Sequence, residues 1–221
     1  MLARVLPTPI TASSPATSSP KLDRSTILSA AVALVDRDGL AGLNMRALAQ
    51  DLGVGTMSLY HYVPNKDALY DGIVETLLCQ IEIPEDSDGT WDERACRMAR
   101  SFRSICLRHA NCVPLIVTRP FATPASLPPC EAALALLAEG SCDPEHALIA
   151  FRAIVAYILG FVTMESAGFF EIMDGRAPLP AELEAMGLPH LGACVALMPG
   201  RDTSADFDAG FRVVLLGSAS S

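Results

Sequence analysis

No CxxC pair, no HExxH and no glycine-rich phosphate loop occur in this 221-residue sequence. Without the first, the seven cysteines (79, 96, 106, 112, 130, 142 and 194) lack the usual spacing of a zinc site or a thiol-redox pair. Most fall in apolar or helical stretches and read as buried free thiols in a reducing cytosol. Cys106, His109 and Cys112 are three apart, but no fourth ligand accompanies them and their helix ends near Asn111. No metal site is expected. Without the other two motifs, zinc hydrolysis and nucleotide-phosphate chemistry lose their common scaffolds. Catalysis needs a nucleophile with a base, a carboxylate pair or a metal constellation. His61 has no acid near it in sequence, and His146 merely follows Cys142 by four. The expectation is a protein that is not an enzyme and carries no cofactor, with a helical enzyme as the minor alternative.

Three further absences narrow the reading. The chain shows no strand-like alternation of useful length and no internal repeat, so an all-α fold is expected. Residues 1–20 are rich in Pro, Ser, Thr and Ala with only Arg4 charged, and hold no apolar run long enough for a secretory signal; they read as a disordered tail. Residues 147–164 reach the length of a membrane span, but Arg152 lies inside the run and acidic residues flank it. A bundle helix, no membrane partner and a cytoplasmic location follow. Positive charge is scarce too: Lys and Arg number 16 against 25 Asp and Glu, a formal net charge of −9. Because phosphate contacts supply much of DNA affinity, non-specific DNA binding is expected to be weak.

What is present is apolar. Hydrophobic residues make up 51% of the chain and the mean hydropathy is +0.34, which describes a globular protein. The length allows one large domain or two small ones with an ample core.

Residues 43–66 outline a helix-turn-helix. Asn44 can cap a helix in which Leu48, Ala49 and Leu52 share a face. Gly53 supplies the left-handed residue at its end. Thr56 is expected to cap the next helix, whose Leu59 points back at the first. Ala49, Gly53 and Leu59 thus have the spacing of a tight helix pair, which an ordinary helical hairpin shares. Thr56, Met57, Ser58, Tyr60, His61 and Tyr62 are left facing outward, a set of donors, aromatics and one methyl-contacting side chain suited to a major groove. From Asn44 to Lys66 the charges are Arg46 and Lys66 against Asp51, a local +1.

Around this unit, Ile27, Leu28, Ala31, Leu34 and Val35 mark a first helix, capped by Asp23 or Ser25 and stopped by Gly39. Pro64 breaks the chain, Asn65 can cap, and a fourth helix is predicted over 66–81 with Leu69, Ile73, Val74, Leu77 and Leu78 inward. Residues 84–90 are a polar linker. Expected domains are therefore the tail 1–20, a DNA-binding three-helix domain 21–83, and a helical bundle 90–217. Within the bundle, helices are predicted over 91–109, 127–139, 144–166 and 207–216, with a short apolar piece at 114–117. Residues 171–190, holding Gly and Pro, read as loop with one short helix.

The 43–66 stretch and the helix before it resemble the DNA-binding domain of the TetR family of bacterial repressors. Its most specific tract is Leu59-Tyr60-His61-Tyr62-Val63-Pro64-Asn65-Lys66. The second half resembles the tetracycline-repressor branch through Trp91, Ser101-Phe102-Arg103, Thr118-Arg119-Pro120, Gly160-Phe161-Val162-Thr163-Met164-Glu165, Phe207 and Gly210-Phe211. Coverage is about residues 22–217. The resemblance implies that Met45 and Arg46 lie beside DNA, that Thr56, Met57 and Ser58 read bases, that Tyr60 and Tyr62 contact phosphates or bases, and that Lys66 grips a phosphate. At the branch's main polar drug and metal contacts this chain has Glu82, Met98 and Leu115 in place of histidine, asparagine and histidine, while Phe102, Arg119 and Pro120 are kept. Leu115 cannot ligate a metal.

The expected function is a ligand-responsive repressor that binds double-stranded operator DNA as a homodimer. Its effector is expected to be largely apolar, with an acidic or carbonyl group for Arg119; Phe102 and Met98 suit a pocket wall and a plain core equally. Dimerisation is expected through the 144–166 helix and the last helix, with Ala153, Ala156 and Gly160 allowing close approach. Effector binding would move the fourth helix as a lever. A DNA binder without a ligand, constitutive repressor or activator, fits the same residues.

Overall fold

The structure, a computed structural model, describes residues 22–119, 122–140 and 143–219. The expected tail, Pro120 and Cys142 lie outside these residues. Among the described residues all regular structure is helical.

The first half holds α1 (Arg24–Gly42), α2 (Met45–Asp51), α3 (Thr56–Tyr60) and α4 (Lys66–Leu78). Asp23, rather than Ser25, caps α1 by accepting from the Thr26 amide at 2.8 Å. Asn44 and Asn65 cap α2 and α4 in the same way, accepting from Ala47 at 2.9 Å and Ala68 at 2.8 Å. Each cap satisfies a first-turn amide that has no partner inside its helix. Gly39 and Gly53, with φ of 71° and 66°, make the left-handed bends that close the regular part of α1 and the end of α2. Two expectations are corrected here. Gly55 holds the cap position of α3 and no side chain caps it; the chain enters the helix one residue early, so Thr56 is its first helical residue. The fourth helix ends at Leu78 rather than near 81, although Ile81 stays in the core.

A single 3-10 turn at Asp86–Asp88 sits in the polar linker, followed by α5 (Trp91–Arg108), a turn at Ala110–Cys112, α6 (Val113–Thr118), α7 (Pro128–Glu139) and α8 (Pro144–Ser166). α9 (Phe169–Arg176), α10 (Pro180–Ala185), α11 (Pro189–Val195) and α12 (Thr203–Ala219) complete the chain. Residues expected as loop with one helix thus form three short helices. Pro180 and Pro189 open α10 and α11, where a missing amide costs nothing. α8 packs against α5, α7 and α12.

One apolar core runs from Ile27 and Val35 through Leu69 and Leu77 to Ile105, Leu136, Val162 and Phe207. It crosses the linker because α1 packs on the 110–112 turn and α4 on α6. The Asn111 amide group donates to the Val35 and Asp36 carbonyls at 3.2 and 3.0 Å. The His109 ring meets the Asp36 carboxylate at 2.7 Å. The Asp36 contact occupies one ring nitrogen of His109, while burial pushes the Cys106 and Cys112 thiols up to about 12. Among the described residues no cluster of metal ligands forms.

Candidate functional site

Leu59 and Val63, both fully buried, anchor α3 on the core beside Ala49. Their neighbours then have to project. Met57 is 80% exposed; Ser58, Tyr60, His61 and Tyr62 are also exposed, and Thr56 is half-buried. His61 and Tyr62 stand edge to face, with centroids 6.4 Å apart. Arg46 is exposed at the start of α2, whereas Met45 is half-buried and packed against the core. Lys66 is exposed at the start of α4, its ammonium 5.2 Å from the Tyr70 ring centre.

The cations of this half sort into two kinds. Arg24 is paired with Glu75 at 2.6 Å, and Arg37 with Asp38 and Asp51 at 3.1 and 3.2 Å. Arg46 and Lys66, on either side of α3 in the chain, have no carboxylate partner among the described residues. Two cations without a carboxylate partner among the described residues thus flank α3 in an acidic protein.

The residues expected around an effector differ in burial and in partners. Met98 and Leu115 are buried in the core and Phe102 is half-buried against it. Glu82 is exposed, and its amide donates to the Ser101 hydroxyl at 2.9 Å. Arg119, expected to meet an acidic or carbonyl group of an effector, has two acids of α4 as partners in this structure. Its guanidinium donates to Asp71 and Asp67 at 2.6 Å each and lies 5.0 Å from the Tyr70 ring centre. Tyr70 is thus contacted by both Lys66 and Arg119. Asp67, Tyr70 and Asp71 carried no mark as functional residues in the sequence. Their one signal is placement within five residues of Lys66, on the first turns of α4.

A second clamp joins the bundle. Arg103 donates from Nε to Glu165 at 2.8 Å, from a second nitrogen to the other carboxylate oxygen, and to the Ser204 hydroxyl at 3.2 Å. Its guanidinium lies 5.0 Å from the Phe207 ring centre. These contacts tie α5 to α8 and α12. Between α8, α9, α11 and α12 is a cavity of about 370 Å³ lined by Phe161, Phe170, Met173, Leu197 and Met198, with Arg201 and Asp206 beside them. The opposite situation holds on the outside of α8 and α12, where Ile149, Val213 and Leu216 are exposed beside Ala153, Ala156 and Gly160.

Residues 27–73 match the family of bacterial regulatory proteins called tetR, and residues 83–219 match the tetracyclin repressor-like C-terminal domain. The chain belongs to the TetR family. An HTH-type transcriptional regulator of Saccharopolyspora erythraea is 32% identical to this TetR-family chain over 205 residues, 91% of this chain and 86% of that one. A class A tetracycline repressor found in Escherichia coli is 29% identical over 203 residues, covering 90% and 91%. ActR of Streptomyces coelicolor, solved in complex with actinorhodin, superposes with a TM-score of 0.73 at 26% identity, over 90% of this chain and 99% of ActR. The family is one of DNA-binding, generally ligand-responsive transcriptional regulators, and this TetR protein is a transcriptional regulator with a helix-turn-helix.

Proposed function

We propose that the protein is a cytoplasmic repressor that binds operator DNA as a homodimer and is released by a small, largely apolar effector. The observation that carries this reading is the pair of unpartnered cations, Arg46 and Lys66, flanking the exposed residues 56–62. Phosphate contacts fix register on a duplex, and base contacts choose the sequence. Arg46 and Lys66 serve the first task, with Tyr60 and Tyr62. Thr56, Met57, Ser58 and His61 serve the second. Met45 supports them from beneath.

The dimer is supported by the outer faces of α8 and α12. Val213 is 73% and Ile149 58% exposed, and a second copy would cover both while Gly160 allows close approach. Met98, Phe102 and Leu115 are the apolar wall offered to the effector from α5 and α6. Arg119 passes movement of α6 to Asp67 and Asp71 and hence to the Lys66 end of α4. Leu115 and Met98 cannot supply the oxygen and nitrogen contacts of a metal–drug chelate, so magnesium–tetracycline is not the effector.

A gel shift with the DNA upstream of the protein's own gene tests the reading. Retardation that is lost on Arg46→Ala and Lys66→Ala supports it. Equal binding by wild type and both variants refutes it.

A further inference from the structure

Residues 53–62, which include the whole of α3, contain no Arg, Lys, Asn or Gln. Those four side chains supply the two-toothed hydrogen bonds that distinguish guanine and adenine in the major groove. The two flanking asparagines are not substitutes, because Asn44 and Asn65 use their side-chain oxygens as helix caps. What residues 53–62 offer instead is hydroxyls, one imidazole and one thioether. A lone hydroxyl both donates and accepts, so it separates base edges poorly.

Met57 is the exception. Among the described residues no other large apolar side chain is as exposed as Met57, at 80%. It is the second residue of α3, at the end of a recognition helix that approaches base edges. Leu59 and Val63 hold the helix down from the other side, so Met57 has no core to turn into. Its unbranched, polarisable chain adapts to an apolar surface. The base edges of the major groove offer one apolar feature, the 5-methyl group of thymine.

We propose that Met57 reads a thymine 5-methyl group in each half of the bound duplex, and that α3 selects its sequence mainly by this contact. The proposal rests on the DNA-binding reading above and adds to it which base chemistry is recognised. Removing one methyl from such a contact weakens binding roughly fourfold, or about fifteenfold when both halves lose it. Arg46 and Lys66 add affinity that is indifferent to the methyl group.

The test uses the full-length protein and duplexes enriched by it from a random library. Each thymine of an enriched duplex is replaced in turn by deoxyuracil, which keeps every hydrogen bond and removes only the methyl. Wild type is expected to lose about fourfold in Kd at one thymine per half-site. Met57→Ala, which removes the contact from both subunits at once, is expected to bind the unmodified duplex about fifteenfold weaker and to show no further loss with deoxyuracil. Met57→Leu, which keeps an apolar tip, is expected to retain most of the deoxyuracil penalty. Both variants change an exposed side chain, and their melting curves check that the fold is intact. Deoxyuracil penalties equal in wild type and Met57→Ala at every thymine overturn the proposal and leave DNA binding standing. Failure to enrich any duplex overturns the DNA-binding reading along with it.

Discussion

Replacing Arg119 by Met removes the guanidinium and keeps most of the stem. Two carboxylates then lose their cation. Arg119 is 23% exposed, Asp71 32% and Asp67 80%. The Asp67 pair is therefore bathed in water and belongs at the weak end of the measured range, while the Asp71 pair belongs nearer the top. At about 0.2–1 kcal/mol for each, the two together contribute about 1 kcal/mol. For a chain of this size that lowers Tm by about 2–4 °C. The effect on DNA has a different origin. Lys66 and Arg119 balance Asp67 and Asp71, so the local charge falls from zero to −1 in each subunit. A unit charge roughly 10 Å from a phosphate costs about 0.4 kcal/mol in water before screening. At about 0.01 M salt most of this survives, and two subunits give roughly a threefold loss of operator affinity; at about 0.1 M it falls below twofold. Asp67→Asn in the Arg119→Met background restores the charge balance and should restore low-salt affinity without restoring Tm. Fluorescence anisotropy at two salt concentrations, beside thermal melts, measures both. Wild-type low-salt affinity in Arg119→Met, or failure of Asp67→Asn to recover it, refutes the electrostatic account.

Light scattering at micromolar concentration should give the mass of a dimer, and Val213→Glu, which puts a charge on the exposed apolar face of α12, should shift it toward monomer; a monomeric wild type refutes the dimer. Glu165→Ala leaves the Arg103 charge unmatched between α5, α8 and α12, where the two side chains are only 12% and 17% exposed, and should destabilise the fold by roughly 2–4 kcal/mol in urea titration, with Glu165→Gln costing less. The hydrogen bond from Arg24 holds the Glu75 carboxyl below the usual carboxylate range, so its stabilisation is present above about pH 4.3 and is lost as pH falls through the lower folded value; Arg24→Gln should destabilise the protein near neutrality and make little difference below that value. Titrating the protein–operator complex with tetracycline and magnesium should give no release; release at nanomolar drug refutes the reading of Met98 and Leu115.

Local chemistry made the first half legible. Asn44, Asn65, Gly39 and Gly53 act within a few residues of themselves, and their roles in the structure follow from side-chain oxygens and positive φ alone. The exposure of Met57 and its neighbours was equally local, because burying Leu59 forces them outward. The 171–190 region misled because its prolines begin helices there, and a proline reads equally as a break or as a first residue. The partners of Arg119 were illegible for another reason. Its partners Asp67 and Asp71 lie 52 and 48 residues away, and no spacing rule spans that distance. The clamp of Arg103 on Glu165, 62 residues apart, was hidden in the same way.

The bonds from Asn111 and His109 to residues 35 and 36 limit modularity. A first half transplanted from a relative, cut at the polar linker, would bring its own α1 and meet a foreign 109–111 turn. Asn111 would then face carbonyls displaced by any change in the bend at Gly39, and the carboxylate opposite His109 would depend on the donor. The two halves of this chain are therefore exchangeable only with this seam carried across intact. In a lineage where regulators diversify by recombination, residues 35–36 and 109–111 should be inherited as one unit, although more than seventy positions separate them.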